Sequence, residues 1–449
     1  MFKSLINIIL CILFLFIGTN KMFGQSNFRL LNGVKKQNIS FQVLNNLIVF
    51  PLDLNGKELN FILDSGVGAT ILFNIHKNDS VTLLNSEKIK LQGLGSEEPI
   101  DAILSKKNKF GFKNGVGLNQ NVYVIFDDNF DLSSKLGITV HGIIGYEILK
   151  DFIITINYST KKIEFASPEN FVPKKCKKCE TFPLEFYKLK PYINVGAKFD
   201  WESNKITTVK LLIDSGGSDA LWFFENSIPE ITPPVKYFND ILGEGLSGTI
   251  HGKRAYVKSL HIGNFEIIKP TVAYPDSLSI SFARQFESRN GSLGATILRR
   301  FLVIFNYPNQ EITLKKASGF KDLFRYNRSG LDLIYNGKLL VMEQDNDNVK
   351  LNDIGDPAFK KTITLAYNYK YTFKPSYKIF NIKEGSPAYK SGLRKGDLVI
   401  KINGKFTYDL KLEELNDYFF QKELKRINLV IERDGKNYEY QFRLEDILK

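Results

Sequence analysis

The chain has 449 residues, of which 43% are hydrophobic and 24% are charged. This balance is typical of packed globular domains rather than disordered chains, and the length suggests about three domains. The formal net charge is +13, but the Lys and Arg residues are scattered and form no basic helix. We therefore expect no nucleic-acid partner, because nucleic acids are bound by clustered basic residues.

The first 25 residues are typical of a secretory signal. Lys3 precedes an apolar run of 13 residues, from Leu5 to Ile17, and a small residue lies near the end of the segment. A membrane anchor is the alternative interpretation, but the run is short for a bilayer span. We expect residues 1–25 to be removed. The mature protein should then be soluble, without a stable transmembrane anchor, and exported to the periplasm or the extracellular space.

The tripeptide Asp-Ser-Gly occurs twice, and each copy follows an apolar run. The first is Asp64-Ser65-Gly66, and the second, 150 positions later, is Asp214-Ser215-Gly216. A carboxylate at the end of a buried strand is costly unless it has a partner or a function. The two copies therefore predict a pair of carboxylates that shares one proton and activates a water molecule.

The repeat extends well beyond the tripeptide. Gly93 and Gly243 each lie 29 residues after the Asp of their own copy, and later glycines, Gly145 and Gly294, are 149 positions apart. Self-similarity in this order predicts two duplicated units. Short apolar runs separated by turn residues, such as Asn55-Gly56, predict that both units are all-β.

A Lys-rich segment at 173–180 is the expected boundary between the units, and it contains Cys176 and Cys179. The CxxC spacing could form half of a zinc site, but no second Cys/His pair lies nearby. It could also be a redox motif, but the surrounding βαβ pattern is missing. Export favours the third interpretation, a local disulfide in a linker turn.

From about residue 330 the pattern changes. The region opens with Gly330-Leu331-Asp332-Leu333 and continues with Ser386-Pro387-Ala388. Apolar spacing predicts an amphipathic helix over 412–424, and a turn around Asp434-Gly435 predicts a closing hairpin.

The two-unit pattern resembles the aspartic peptidases, with two retropepsin-like lobes on one chain in a pepsin-like arrangement. The resemblance covers roughly residues 38–318 and implies a mainly β fold with two pseudo-symmetric β-barrel lobes, at 26–172 and 181–320. It implies Asp64 and Asp214 as the catalytic dyad, with no metal and no cofactor. It also implies residues that support the dyad, which are Ser65, Gly66, Ser215, Gly216, Gly145 and Gly294. Residues implied at flap tips over an extended substrate are Gly93, Gly95, Ser96, Gly243, Gly245 and Ser247.

Two departures from this family stand out. Thr is more usual at the positions of Ser65 and Ser215. The hydroxyl often found three residues after the Asp is replaced by Val67 and Gly217. That hydroxyl bonds the carboxylate in pepsin-like enzymes, so the departure leaves the working pH open.

Residues 330–449 resemble an α+β PDZ domain of the kind attached to bacterial envelope proteases. The resemblance implies a carboxylate-binding loop formed by Gly330, Leu331, Asp332 and Leu333, whose backbone N–H groups would hold a chain-terminal carboxylate. The alternative is a small β-rich domain that only packs on the lobes.

Together these patterns lead us to expect a monomeric aspartic endopeptidase that cleaves peptides in an extended conformation. The PDZ domain would bind peptide or protein C-termini. The competing hypothesis is a non-catalytic peptide-binding or scaffold protein that keeps the bilobal fold and uses the PDZ groove.

Overall fold

The computed structural model describes residues 27–75, 81–91, 99–126, 131–173, 175–245, 248–354 and 362–448. The predicted signal segment, residues 1–25, lies outside this part of the chain. Strands dominate the described residues, and their longest α-helix has six residues. The prediction of a mainly β chain is confirmed.

The first unit is built on hairpins whose turns the sequence signals. Asn55 and Gly56 both have positive φ, which allows a two-residue turn between consecutive strands. The elements of this unit are β1 (Asn27–Leu30), β2 (Lys36–Ser40), β3 (Gln42–Leu44), β4 (Leu47–Leu54), β5 (Lys57–Leu63), β6 (Thr70–Leu72), β7 (Ser86–Leu91), β8 (Ile100–Phe112), β9 (Gly115–Ile125), α1 (Leu132–Leu136), β10 (Gly142–Ile144), α2 (Tyr146–Leu149), β11 (Ile153–Asn157) and β12 (Lys162–Ala166).

The second unit repeats the central topology of the first. Its elements are β13 (Cys179–Pro183), β14 (Glu185–Tyr187), β15 (Lys190–Lys198), β16 (Thr207–Asp214), β17 (Leu221–Phe223), β18 (Phe238–Gly245), β19 (Gly248–Tyr256), β20 (Ser259–Ile262), β21 (Phe265–Ile268), β22 (Thr271–Pro275), β23 (Gly291–Gly294), α3 (Ala295–Leu298), β24 (Phe301–Asn306) and β25 (Glu311–Lys316). Strand β10 pairs in parallel with β5 and antiparallel with β6. Strand β23 pairs in the same way with β16 and β17. Both Asp-Ser-Gly loops therefore follow equivalent strands.

One sheet joins the two units. Its six strands run in the order β13-β25-β24-β11-β12-β2, so each unit contributes three. The junction is the antiparallel pair β11–β24, which aligns Ile153 with Asn306 and Asn157 with Leu302. Large side chains such as Phe152, Phe165 and Phe301 are buried there, in an apolar cluster that spans both units. Because each such burial contributes about 1.5–3 kcal/mol, this sheet holds the units in a fixed relation.

The predicted linker is partly a strand. Cys179 already belongs to β13 and pairs with Lys315 of β25. The structure joins Cys176 and Cys179 in a disulfide, with 5.4 Å between their Cα atoms. This bridge closes a small loop immediately before the second unit begins.

The C-terminal region has its own apolar core, in which Leu331, Ile379, Leu415, Phe419 and Ile427 are fully buried. The elements of this region are β26 (Leu331–Ile354), β27 (Thr362–Ile382), α4 (Pro387–Lys390), β28 (Leu398–Ile402), β29 (Lys405–Phe406), α5 (Leu412–Asp417), β30 (Arg426–Arg433) and β31 (Lys436–Arg443). The other short turns of the described chain are 3₁₀ helices at Pro168–Asn170, Leu278–Ile280, Ala283–Gln285, Tyr307–Asn309, Ser318–Lys321 and Thr407–Asp409. A core separate from that of the two units is typical of an independent domain.

The helix predicted over 412–424 is shorter in the structure, since α5 ends at Asp417. Beyond it the chain turns so that Phe419 enters the core, while its carbonyl accepts the N–H of Arg328 at 2.9 Å. Apolar spacing alone could not reveal this turn, because a buried turn and a buried helix face share the same residues. The closing hairpin forms as predicted, with positive φ at Asp434 and Gly435.

Candidate active site

Each Asp of the repeated tripeptide is held by a central strand of its own unit. Asp64 comes directly after β5, and its N–H donates to the carbonyl of Ile144 on β10 at 2.9 Å. Asp214 is the last residue of β16, which pairs in parallel with β23 as far as Gly294. Both carboxylates therefore project from well-supported elements, as a functional pair requires.

The late glycines lie beneath the two Asp loops. A Cβ atom on Gly145 would lie 2.1 Å from the carbonyl oxygen of Asp64, and one on Gly294 would lie 2.3 Å from that of Asp219. Both distances are far below van der Waals contact. Only glycine permits such close packing of the loops on the chain that follows them.

Ser65 and Ser215 connect the two loops reciprocally. The Ser65 N–H donates to Ser215 Oγ at 2.9 Å, and the Ser215 N–H donates to Ser65 Oγ at 3.0 Å. The Ser65 hydroxyl donates to the carbonyl of Ile213, and the Ser215 hydroxyl donates to that of Leu63, both at 2.8 Å. Both serines are fully buried. These hydrogen bonds fix the two Asp loops relative to each other.

The carboxylates of Asp64 and Asp214 converge above these serines. A Cβ atom on Gly66 would lie 3.0 Å from Asp214 Oδ1 and 3.1 Å from Asp64 Oδ1, so both oxygens approach one point. A Cβ atom on Gly216 would lie 2.2 Å from Asp64 Oδ2, so a side chain there would displace that carboxylate. The Gly66 N–H donates to Asp64 Oδ1 at 2.7 Å. The structure thus brings the two predicted carboxylates and their glycines together.

The electrostatics of the pair follow from burial and two nearby cations. Burial and the charge of Asp214 raise the pKa of Asp64 to about 7. Burial also raises the pKa of Asp214, while the charges of Arg289 and Lys190 lower it. Two like charges this close do not ionise together, so the pair holds a single proton. We infer that this proton resides mainly on Asp64, because Arg289 lowers the pKa of Asp214 only, whereas Lys190 lowers that of both carboxyls.

A cavity of about 1440 Å³ lies over the two carboxylates. Gly243 and Gly245 line it from the β18–β19 hairpin, where the sequence predicted a flap. Glu244 of this hairpin forms an ion pair with Lys135 of α1 at 2.6 Å, which connects the hairpin to the first unit. Ser247 and the residues predicted for the other flap, Gly93, Gly95 and Ser96, lie outside the described residues.

Sequence reasoning missed a charged cluster at the base of the β18–β19 hairpin. Arg254 of β19 forms ion pairs with Asp219 and with Asp240 of β18, each at 2.7 Å. The indole N–H of Trp222 donates to Asp219 Oδ2 at 2.8 Å. Asp219 lies five residues after Asp214, where the first unit has Ala69, so the repeat itself gave no signal for this cluster.

The loop predicted to bind a carboxylate differs from the expectation. The N–H groups of Ser329 and Gly330 donate to Asn327 Oδ1, at 2.9 and 3.3 Å, and the Leu331 N–H donates to Ser329 Oγ at 3.0 Å. These groups are already hydrogen bonded within the chain, because the Asn327 side chain folds back over its own turn. Leu331 and Leu333 are buried in the core of this region, and Asp332 and Leu333 also line the cavity that contains the two carboxylates.

Comparison with known proteins identifies the C-terminal region. Residues 379–433 match the family described as PDZ domain, which confirms the predicted PDZ domain over that range. No curated protein matches the chain significantly. A crystal structure of an aspartic proteinase from Irpex lacteus aligns with a TM-score of 0.41 and 11% identity, over 64% of this chain and 98% of that one. A similarity at that level establishes neither a shared fold nor a shared activity.

None of the helices in the described part of the chain combines the length and the apolar character needed to cross a membrane.

Proposed function

We propose that the chain is an aspartic endopeptidase that hydrolyses peptide bonds with a water molecule activated between Asp64 and Asp214. The observation that carries the proposal is the convergence of two partly buried carboxylates from duplicated strands at the floor of one large cavity. A buried, like-charged pair is costly for a fold and is common where general acid–base chemistry is needed. The domains proposed are lobes at 26–172 and 181–320, a linker at 173–180 and a PDZ domain at 330–449.

The proposed roles follow from the charges around each carboxyl. Asp214, whose ionised form is favoured by Arg289 and Lys190, takes a proton from the attacking water. Asp64, whose pKa is raised to about 7, donates a hydrogen bond to the carbonyl oxygen of the substrate. The water oxygen bonds directly to the carbonyl carbon of the peptide. The proton that Asp214 took from the water then moves to the leaving amine as the C–N bond breaks. Flap hairpins would close over the extended peptide, with Gly243 and Gly245 at one of them.

Isosteric replacement of each Asp tests this mechanism. Asp64→Asn and Asp214→Asn should each lower cleavage of a peptide library by about 10²- to 10⁴-fold, the usual contribution of a general acid or base. Asp200→Asn, a change of the same kind in an exposed loop, is the matched control and should leave cleavage unchanged. Wild-type rates in both dyad variants would refute the mechanism. A statine-type transition-state mimic should bind the wild type but neither dyad variant.

A second candidate function is peptide binding without catalysis, favoured by the PDZ match at 379–433. Leu333, Leu412, Asn416 and Phe420 line one part of the cavity, between the start of β26 and helix α5. Phe420→Ala should weaken binding of C-terminal peptides, because this half-exposed ring is available to a ligand. Tyr438→Ala, a similarly exposed aromatic on β31, is the control. Peptide binding with no cleavage at any pH from about 3 to 8 would favour this second function.

We further propose that the protein is exported as a monomer after loss of residues 1–25. The apolar run from Leu5 to Ile17 and the Cys176–Cys179 bridge support export, since disulfides persist in oxidising compartments. N-terminal sequencing of the exported protein should find a start near Ser26. An intact Met1 in the exported protein would contradict the proposal.

A further inference from the structure

Two cations lie beside the carboxylate pair on the side of the second unit. Lys190 begins β15, and Arg289 lies two residues before β23; both line the cavity that contains Asp64 and Asp214. Gly68 lies next to the first Asp loop, and a Cβ atom on it would lie 3.5 Å from Leu189 Cβ. The turn that precedes Lys190 therefore packs against this loop. The two cations are therefore part of the same floor as the carboxylates.

The duplicated fold shows that these cations are not required by the architecture. The register of β4 with β5 pairs Val49 with Ile62, and that of β15 with β16 pairs Tyr192 with Leu212. Aligning these pairs puts Leu47 of the first unit at the position of Lys190. Val140 lies two residues before Gly142, and Arg289 lies two residues before the equivalent Gly291. Val140 of the first unit therefore occupies the position of Arg289. The first unit thus reaches the same backbone arrangement with apolar residues at both positions.

The cations also lack a full set of anions. Among the described residues, neither Lys190 nor Arg289 forms an ion pair within 4.0 Å. Arg289 is 5% exposed and donates to the Gly291 carbonyl at 3.1 Å and to Ser292 Oγ at 2.7 Å, which are neutral acceptors. Burial and the charge of Arg289 lower the pKa of Lys190, and the charges of Asp64 and Asp214 offset this lowering only in part.

A count of charges indicates that a negative charge is missing beside Lys190 and Arg289. A carboxylate pair that holds one proton supplies one negative charge against the two cations, so these four side chains together carry an excess positive charge. A buried, uncompensated cation costs several kcal/mol, and a fold retains one where a ligand completes the pairing. Tyr187 and Phe286 stack at 4.2 Å between centroids and border the site with an apolar wall. A carboxylate on a short aliphatic stem matches this combination of wall and charge.

We infer that Lys190 and Arg289 form a substrate subsite for a carboxylate, that of an Asp or Glu side chain next to the scissile bond. The inference rests on the proposed peptidase function. It assigns opposite preferences to the two sides of the dyad, because Leu47 and Ile143 line the cavity on the side of the first unit. The subsite takes the acidic residue, and the apolar side takes a hydrophobic one.

The test uses pairs of peptides, blocked at both termini, that differ only by Glu or Gln at one position on either side of the scissile bond. The full-length protein should cleave the Glu peptide about 10-fold or more faster than its Gln partner at one position, the effect of a charge-assisted hydrogen bond in a desolvated site. A second set carries a free C-terminal carboxylate at that position instead. This set shows whether a chain end serves as the source of the same group.

Lys190→Gln should bring the Glu-to-Gln ratio of kcat/KM close to one, and Lys190→Glu should invert it and favour a Lys peptide. Lys198→Gln removes the same charge from the same strand away from the cavity and should keep the wild-type ratio. Cleavage without any preference for a carboxylate, or a preference that survives Lys190→Gln in a folded protein, would overturn the inference. A Lys190→Gln effect confined to the pH profile, with the ratio unchanged, would also overturn it. Absence of cleavage of every peptide would instead refute the peptidase function on which it rests.

Discussion

The most direct test of the paired loops is removal of one connecting hydroxyl. Ser215→Ala deletes an oxygen that accepts the N–H of Ser65 at 2.9 Å and donates to the carbonyl of Leu63 at 2.8 Å. Both partners are backbone groups in a site without solvent exposure, so they lose their partners without gaining water. Each such group costs about 1–3 kcal/mol, and we expect a loss of about 3 kcal/mol in the free energy of unfolding. Ser65→Ala should have a similar effect, because the arrangement is reciprocal.

Urea unfolding followed by tryptophan fluorescence measures this loss, since both tryptophans, Trp201 and Trp222, lie in the second unit. Ser218→Ala is the matched control, because it deletes a hydroxyl from the same loop. Within the described part of the chain, Ser218 is hydrogen bonded through its carbonyl alone, which accepts from Asn46 and Thr296. The Ser215→Ala protein should also cleave peptides about 10- to 100-fold more slowly, since small displacements of catalytic groups are costly. A loss below about 1 kcal/mol, equal to that of Ser218→Ala, would refute the reasoning.

Three further predictions concern protonation, packing and the C-terminal domain. Because the pKa of Asp64 is raised from 3.8 to about 7, the folded protein binds a proton that the unfolded chain has released. The free energy of unfolding should therefore fall as the pH rises from 3.8 to about 7, and it should fall less in Asp64→Asn. An equal pH dependence of the two proteins, measured by urea unfolding at several pH values, would contradict this. Gly145→Ala places a Cβ 2.1 Å from the Asp64 carbonyl and should abolish folded protein, whereas a normal circular dichroism spectrum and melting curve would show that the loop can yield. Asp397→Asn breaks the ion pair of a buried carboxylate with Arg433 at 2.6 Å. It should destabilise the C-terminal domain by about 2 kcal/mol, less than the loss of a fully buried pair, because the Arg433 side chain is partly exposed. Amide hydrogen exchange should then become faster in β28 and β30, while the urea transition monitored by tryptophan fluorescence stays unchanged. An unaltered exchange pattern would argue against a structural role for Asp397.

The proposed cleavage reaction has a pH dependence of its own. The dyad needs one proton, and the pKa of Asp64 is raised to about 7, so the rate should decline as pH rises above neutrality. Rates of peptide cleavage between about pH 4 and pH 9 measure this decline. A rate that stays constant up to pH 9 would show that the proton on Asp64 is not required.

The repeat made much of the site predictable from sequence. Asp64 and Asp214 could be paired because identical tripeptides followed identical strand patterns, and Gly145 and Gly294 kept nearly the same offset. The same reasoning could not find Lys190, because a cation opposite a leucine breaks the repeat instead of extending it.

The remaining differences arise from contacts between distant segments. The hydrogen bonds of Asn327 to the loop at Gly330 depend on the conformation of one turn, which a short glycine motif does not specify. Arg254 reaches Asp219 across 35 positions, and the repeat gave no signal for this contact because the first unit has Ala69 at the position equivalent to Asp219. Local periodicity thus predicted the strands and the closing hairpin but not the side-chain network between them.

The sheet shared by the two units determines the order in which this chain can fold. Strand β11 has β12 on one edge, but its other edge is completed only by β24, which follows it by more than a hundred residues. A contact with so long a sequence separation forms late, because the intervening chain must first lose its conformational entropy. Until then one edge of β11 presents unpaired backbone N–H and C=O groups, with which a strand of another chain can pair. The first unit therefore cannot complete this sheet until β24 of the second unit lies beside β11.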